Sequence, residues 1–360
     1  MNSTVPLFLL PLGNITVNRS LSCGVYPQHV SIIVFLLLVF PAGFFLNIFS
    51  VWVFCCRVPH WSSCTVLQFH LAVSDAIVTP VAPLMAAYFL MGSHWVFGSF
   101  MCKLKIALLV VHFYGSILFL TLISIHRYVS VVQFKKVSLL KRKAFVHKLC
   151  AGVWLVLLTV GFMCFCFLNT SQVGTFTQCL SIHQEGYIET YFVMNFILLV
   201  PGFLLPFSVS VACYILLAKS MSRININTSK GRSIKLKSFK MVATCLVIFG
   251  VCFVPLNIIR TIVVVLKKFF PGQCDLLLRM ETAYYVSWIL AGANCCLDPL
   301  IYCFGSHKFV MAIHKSLRKH VIYNEDPVRN EQMSDDNATY SPSVVLTQEQ
   351  HVHIQHSSTS

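Results

Sequence analysis

The stretch Asn294-Cys295-Cys296-Leu297-Asp298-Pro299-Leu300-Ile301-Tyr302 sets an Asn, an Asp, a Pro and a Tyr inside an otherwise apolar run. A charged side chain in a bilayer core costs about 2.5–3.5 kcal/mol, so an aspartate there marks a functional site by default. The run lies in the last of seven apolar stretches, residues 29–56, 65–90, 100–131, 147–167, 190–217, 240–266 and 279–304. Each meets the roughly 20 helical residues needed to cross hydrocarbon.

The composition agrees. At 57% hydrophobic and 11% charged residues, the chain falls far below the charged fraction of about 25% typical of soluble domains. The sequence predicts an all-α membrane protein, a seven-transmembrane helix bundle followed by a short amphipathic eighth helix. Four segments follow: an extracellular amino terminus over 1–28, the membrane domain over 29–304, an amphipathic cytoplasmic helix over 305–322 and a disordered cytoplasmic tail over 323–360. Residues 1–20 lack the basic start and cleavage site of a signal peptide, so the first span is expected to act as an uncleaved anchor.

Lys and Arg next to short loops set the orientation. Arg57, the group from Lys135 to Lys143, the group from Lys219 to Lys237, and Lys308 to Lys319 flank alternate connections. Those connections are expected inside a plasma-membrane protein whose amino terminus is outside. The net charge of +15 is then topology, and nucleic acid is not an expected partner. Sequons at Asn2, Asn14, Asn18 and Asn169 fall outside under this orientation, whereas those at Asn227 and Asn337 fall inside.

Most of the 16 cysteines lie in apolar runs, but Cys23, Cys102, Cys179 and Cys274 fall in extracellular segments. Oxidising surroundings favour disulfides there, and four cysteines allow three pairings.

The spans carry markers in order: Asn47, Asp75, Ser116 with Arg127, Trp154, Pro206 with Tyr214, Cys252-Phe253-Val254-Pro255, and Asn294 to Tyr302. This set resembles the rhodopsin-like (class A) G-protein-coupled receptors over roughly residues 30–317. His94-Trp95-Val96-Phe97-Gly98, Tyr114 to Thr121, and Ser124-Ile125-His126-Arg127-Tyr128 resemble the purinergic, protease-activated and lipid-mediator branch. Within it, Leu246-Val247-Ile248-Phe249 and Leu290-Ala291-Gly292-Ala293-Asn294 look most like a lysophosphatidic acid receptor.

The resemblance implies a Cys102–Cys179 bridge and a second bridge joining Cys23 to Cys274. It implies an allosteric sodium ion among Asp75, Ser116, Asn294 and Asp298, with no other metal or cofactor. It further implies a packing switch of Ile117, Pro206 and Phe249, a span-six pivot at Phe253 and Pro255, and movement of Tyr214 and Tyr302 toward Arg127. His126 replaces the usual acidic neighbour of Arg127, and Lys235 would repel that arginine, so the ionic restraint of the resting state is expected to be missing. Heterotrimeric G protein, receptor kinase and arrestin are the implied partners, the last two through phosphorylation of the Ser- and Thr-rich tail.

The outer part of span three, Ile106-Ala107-Leu108-Leu109-Val110-Val111, lacks the carboxylate a biogenic amine requires. Lys103, Lys105 and Arg260 gather there instead, pointing to an anionic head group, while Lys267, Lys268 and Arg279 read as interfacial snorkels. Arg260 lies about one and a half turns beyond Pro255 and should face the bundle. It matches an arginine of nucleotide receptors, whose span-seven arginine is replaced by Trp288 and whose span-six histidine is replaced by Asn257. Tyr88, Tyr284, Tyr285 and Trp288 suit an acyl chain. The expected ligand is a lysophospholipid-like anion, with a nucleotide, a carboxylate metabolite or a protease-released tethered peptide as alternatives. His29, His94, His112 and His183 read as scattered side chains. No repeat suggests a transporter, and no intramembrane catalytic set suggests an enzyme.

Overall fold

A computed structural model describes residues 28, 30–78, 80–132, 139–173, 175–179, 188–222, 229–305 and 308–315. Seven of its helical runs are long and apolar enough to cross a membrane. Span one is α1 (Val30–Arg57), and span two is α2 (Ser63–Ala76) followed by α3 (Val81–Leu90). Spans three and four are α4 (Gly98–Val132) and α5 (Lys143–Phe167). Span five combines α6 (Ile188–Leu199) with α7 (Leu205–Ser222), and span six combines α8 (Ser229–Ile248) with α9 (Val254–Phe269). Span seven is α10 (Cys274–Gly292) with α11 (Asn294–Gly305).

The interruptions have local causes. Ser62 caps α2, its hydroxyl accepting from the Thr65 amide at 3.2 Å. Pro80, which has no N–H to donate, separates α2 from α3. Wide π-turns at Val200–Leu204 and Phe249–Phe253 join the halves of spans five and six, next to Pro206 and Pro255 respectively. Pro299 lies inside α11.

Span three is the axis of the bundle: 78% of its most apolar window is buried, against 22% in spans four and five. Glycines bring span one against span seven. A Cβ on Gly43 would run into Cys295 Sγ, and one on Gly292 would run into the Phe40 ring.

After α5 an antiparallel hairpin pairs β1 (Thr170–Val173) with β2 (Phe176–Cys179), Thr170 opposite Cys179. A disulfide joins Cys179 to Cys102 at the start of span three, and the Trp95 amide donates to the Thr177 carbonyl at 2.7 Å. A short helical segment covers residues 308–315, in which Phe309 packs on Phe54 and Tyr302 with ring centroids 4.8 and 5.8 Å away. Residues 1–27 and 316–360, holding Asn2, Asn14, Asn18, Cys23 and the tail sites, lie outside the described residues.

Candidate functional site: a cationic cleft above a buried polar core

A cleft opens between spans three to seven near the disulfide end, lined by Tyr114, Tyr191, Asn195, Arg260, Tyr284 and Trp288 among apolar side chains. Arg260 is fixed by neutral neighbours. Its Nε donates to Asn195 Oδ1 at 2.8 Å and its Nη2 to Asn257 Oδ1 at 3.0 Å, while its guanidinium carbon stands 6.0 Å from the Tyr114 ring centre. Asn257 is one turn below Arg260 and donates to the Phe253 carbonyl, so the span-six bend helps to aim the cation. Among the described residues, no carboxylate forms an ion pair with Arg260.

Lys105 is buried behind this cleft, its ammonium 3.2 Å from the Cys179 carbonyl oxygen and 4.9 Å from the Trp95 ring centre. It lies one turn after Cys102, so the disulfide that draws Cys102 inward draws this face of the helix inward too. Lys103 is half-buried and Tyr88 fully buried; neither borders this cleft. Lys268 bridges Glu189 at 2.8 Å and lies over Phe192, and Arg279 pairs with Asp275 on the exposed surface.

Below the cleft, Asp75, Ser116, Asn294 and Asp298 meet in a fully buried core. Ser116 donates to Asp75 Oδ1 at 2.8 Å, and Asn294 Nδ2 donates to Asp298 Oδ2 at 3.1 Å. The other oxygens, Asp75 Oδ2, Asn294 Oδ1 and Asp298 Oδ1, are buried with no hydrogen-bond partner. Three acceptors lacking donors form an oxygen set of the kind a hard cation takes, so the residues fit a sodium ion. The sequence reading missed His112, whose Nδ1 is 3.6 Å from Asp75 Oδ1. It stands four residues before Ser116, and that i, i+4 spacing was the available signal.

Phe249 is buried, its ring 5.8 Å from Phe207 and 6.0 Å from Phe253, and Ile117 is buried as well. The Pro206 carbonyl accepts from Thr121 at 3.4 Å. Tyr214 stacks on Phe239, while Tyr302 donates to Asn47 Oδ1 at 3.4 Å. At the Arg127 end, Arg127 Nε donates to Met241 Sδ at 3.1 Å, a partner the sequence reading missed. His126 is buried and Tyr128 half-buried beside it. Lys235 Nζ is buried with no partner. Asn169 accepts from Thr170 and Ser99. Cys274 is disulfide-bonded, and its expected partner Cys23 lies outside the described residues.

Seven apolar helices, a polar intramembrane core and a cleft at the disulfide end define a seven-helix membrane receptor. Residues 46–302 match the family described as 7 transmembrane receptor (rhodopsin family). The Y-type purinoceptor 4 of Mus musculus is 34% identical over 75% of this chain and 74% of its own length. The Y-type purinoceptor 2 of Mus musculus is 32% identical over 74% of this chain and 72% of its own length. The Y-type purinoceptor 1 of Gallus gallus is 30% identical over 89% of both. The chain belongs to the rhodopsin family of G-protein-coupled receptors, among purinoceptor-like members. It is a multi-pass membrane receptor and not an enzyme.

Proposed function

We propose that this receptor is switched by an extracellular anionic ligand of the nucleotide kind, held at Arg260, and signals through a heterotrimeric G protein. The observation that carries the reading is the cation in the cleft: Arg260 is oriented by Asn195 and Asn257 and forms no ion pair among the described residues. A guanidinium held in that way keeps its remaining Nη N–H groups to donate to two phosphate or carboxylate oxygens at a time. The relatives' name, purinoceptor, supports a purine-bearing ligand, and the tyrosines and Trp288 offer faces on which a flat base can stack.

The lysophospholipid expectation gives way here. It rested on short likenesses in spans six and seven, on aromatic side chains suited to an acyl chain and on the departures at Asn257 and Trp288, whereas similarity to purinoceptors extends over 74% of the chain. An anion at Arg260 would draw on Asn257 and thus on the span-six bend, carrying occupancy to Phe249 and then to Arg127. A sodium ion would be held by Asp75, Ser116, Asn294 and Asp298 in the resting bundle. Receptor kinase and arrestin would act on the tail, and the amino terminus would be outside.

The test is ligand-dependent nucleotide exchange on a G protein in membranes carrying wild type or Arg260→Ala, screened with nucleotides, lysophosphatidate and dicarboxylates. A nucleotide response whose potency falls at least tenfold in Arg260→Ala is expected. A full nucleotide response in the variant, or a response to lysophosphatidate alone, overturns the reading.

A further inference from the structure

Four free thiols are exposed among the described residues, those of Cys55, Cys56, Cys166 and Cys303. Three of them gather at one corner of the Arg127 end. Cys55 and Cys56 immediately precede Arg57, the last residue of span one, and Cys303 ends the membrane-crossing length of span seven. Packing sets them at one level. Phe54, next to Cys55, meets Tyr302, next to Cys303, with ring centres 5.5 Å apart, and Phe309 completes the cluster at 4.8 Å from Phe54 and 5.8 Å from Tyr302. Phe54 and Tyr302 are buried, and the cysteine that follows each is turned about 100° around its helix, onto the outer surface.

That surface is apolar. Phe45, Phe49 and Trp52 are exposed and recur with Cys56 at helical spacing, one lipid-facing stripe that ends on a thiol. Leu300, one turn before Cys303, is exposed as well. The Arg57 guanidinium lies 5.0 Å from the centre of the Trp52 ring. Tryptophan and arginine both collect at headgroup level, so this pair marks the membrane interface at the depth of Cys55 and Cys56. Thiols at that depth are where reversible S-acylation takes place.

We propose that Cys55, Cys56 and Cys303 form an S-acylation site joining the ends of spans one and seven, with a long-chain acyl coenzyme A thioester as donor. A bond forms between the cysteine Sγ and the acyl carbonyl carbon, the bond from that carbon to the sulfur of the donor breaks, and the thiol proton leaves on the released coenzyme A. No group is oxidised or reduced. One acyl chain gives marginal anchoring and two give stable anchoring, so chains on both spans would hold this corner, and Phe309 with it, at the interface. The donor is cytoplasmic, so the proposal rests on the orientation proposed above, with the amino terminus outside, and is independent of the ligand at Arg260.

The experiment uses the full-length receptor from cells, as wild type, Cys55→Ser/Cys56→Ser, Cys303→Ser, the triple variant and Cys166→Ser. Free thiols are blocked, thioesters are cleaved with hydroxylamine, and each thiol released is tagged with a maleimide polymer that adds a step in mass. The wild type and Cys166→Ser should show two or three steps that depend on hydroxylamine. Each partial variant should lose the steps of its own cysteines, and the triple variant should show none while reaching the cell surface as wild type does. Fewer than two steps in the wild type, or steps that persist in the triple variant, refute the site and leave the nucleotide reading standing. Steps that persist in the triple variant and vanish in Cys166→Ser refute the orientation as well, since Cys166 lies at the opposite end of the bundle, one residue from the close of span four.

Discussion

Asn47 donates to the backbone carbonyl of Cys295 at 2.7 Å, and through the same amide group accepts from the Tyr302 hydroxyl at 3.4 Å. One side chain of span one thus satisfies two buried polar groups of span seven. Asn47→Leu would leave both without a partner, at about 1–3 kcal/mol each. The detergent-solubilised variant should unfold at a clearly lower temperature than wild type, and an equal midpoint would count against the contact.

Close packing makes the same pair of spans sensitive to volume. Gly43→Ala places a methyl group against Cys295 Sγ, an overpacking that costs about 1–3 kcal/mol. Cys295→Ala removes that sulfur, so the double variant should be more stable than Gly43→Ala alone. Additive losses in a thermal-melt cycle would show that the two positions are uncoupled.

The Cys102–Cys179 bridge closes 77 residues and holds the carbonyl that Lys105 faces. Cys102→Ser should cost about 2–5 kcal/mol, lower surface expression, and abolish agonist response in the receptors that do reach the surface. A normal dose response from surface-normalised Cys102→Ser cells would disprove this link.

His126 brings no negative charge to Arg127, whose Nε meets the weak acceptor Met241 Sδ. His126→Asp would add a charge-assisted partner. Ligand-free G-protein activation should fall several-fold in cells expressing equal amounts of receptor, and unaltered basal activity would dismiss the idea.

Sodium binding predicts a stability difference. Exchanging sodium for a bulky organic cation should lower the melting temperature of wild type and leave that of Asp75→Asn unchanged, because the variant loses a ligand carboxylate. Equal sodium sensitivity in both would remove the ion from Asp75, Ser116, Asn294 and Asp298.

All seven spans are legible because apolar length is a property of the sequence itself, and Asp75, Ser116, Asn294 and Asp298 stand out against it. Their edges are less so. Span six is expected over 240–266, yet helix runs from Ser229 to Phe269, since Lys235 and Lys237 are good helix formers that extend it past the hydrocarbon. The π-turn at Val200–Leu204 contains Pro201 and Gly202 and that at Phe249–Phe253 contains Gly250, yet a lone proline or glycine in an apolar run marks a bend without saying that the helix widens there. The burial of Lys105 is hidden by its charge, which reads as surface until the Cys102–Cys179 bridge fixes which face of span three looks inward. His112 reads as one histidine among several because a side chain four residues before Ser116 becomes part of the core only when spans two, three and seven converge.

Gly43 and Gly292 let span seven sit so deep against span one that neither can slide without a collision. That leaves the two as a fixed frame, with the loosely wound Phe249–Phe253 turn of span six as the compliant member beside it. A receptor built this way should respond to its ligand as a lever does against a fulcrum: the amplitude at the Arg127 end is set by how far one helix swings while its neighbours stay still.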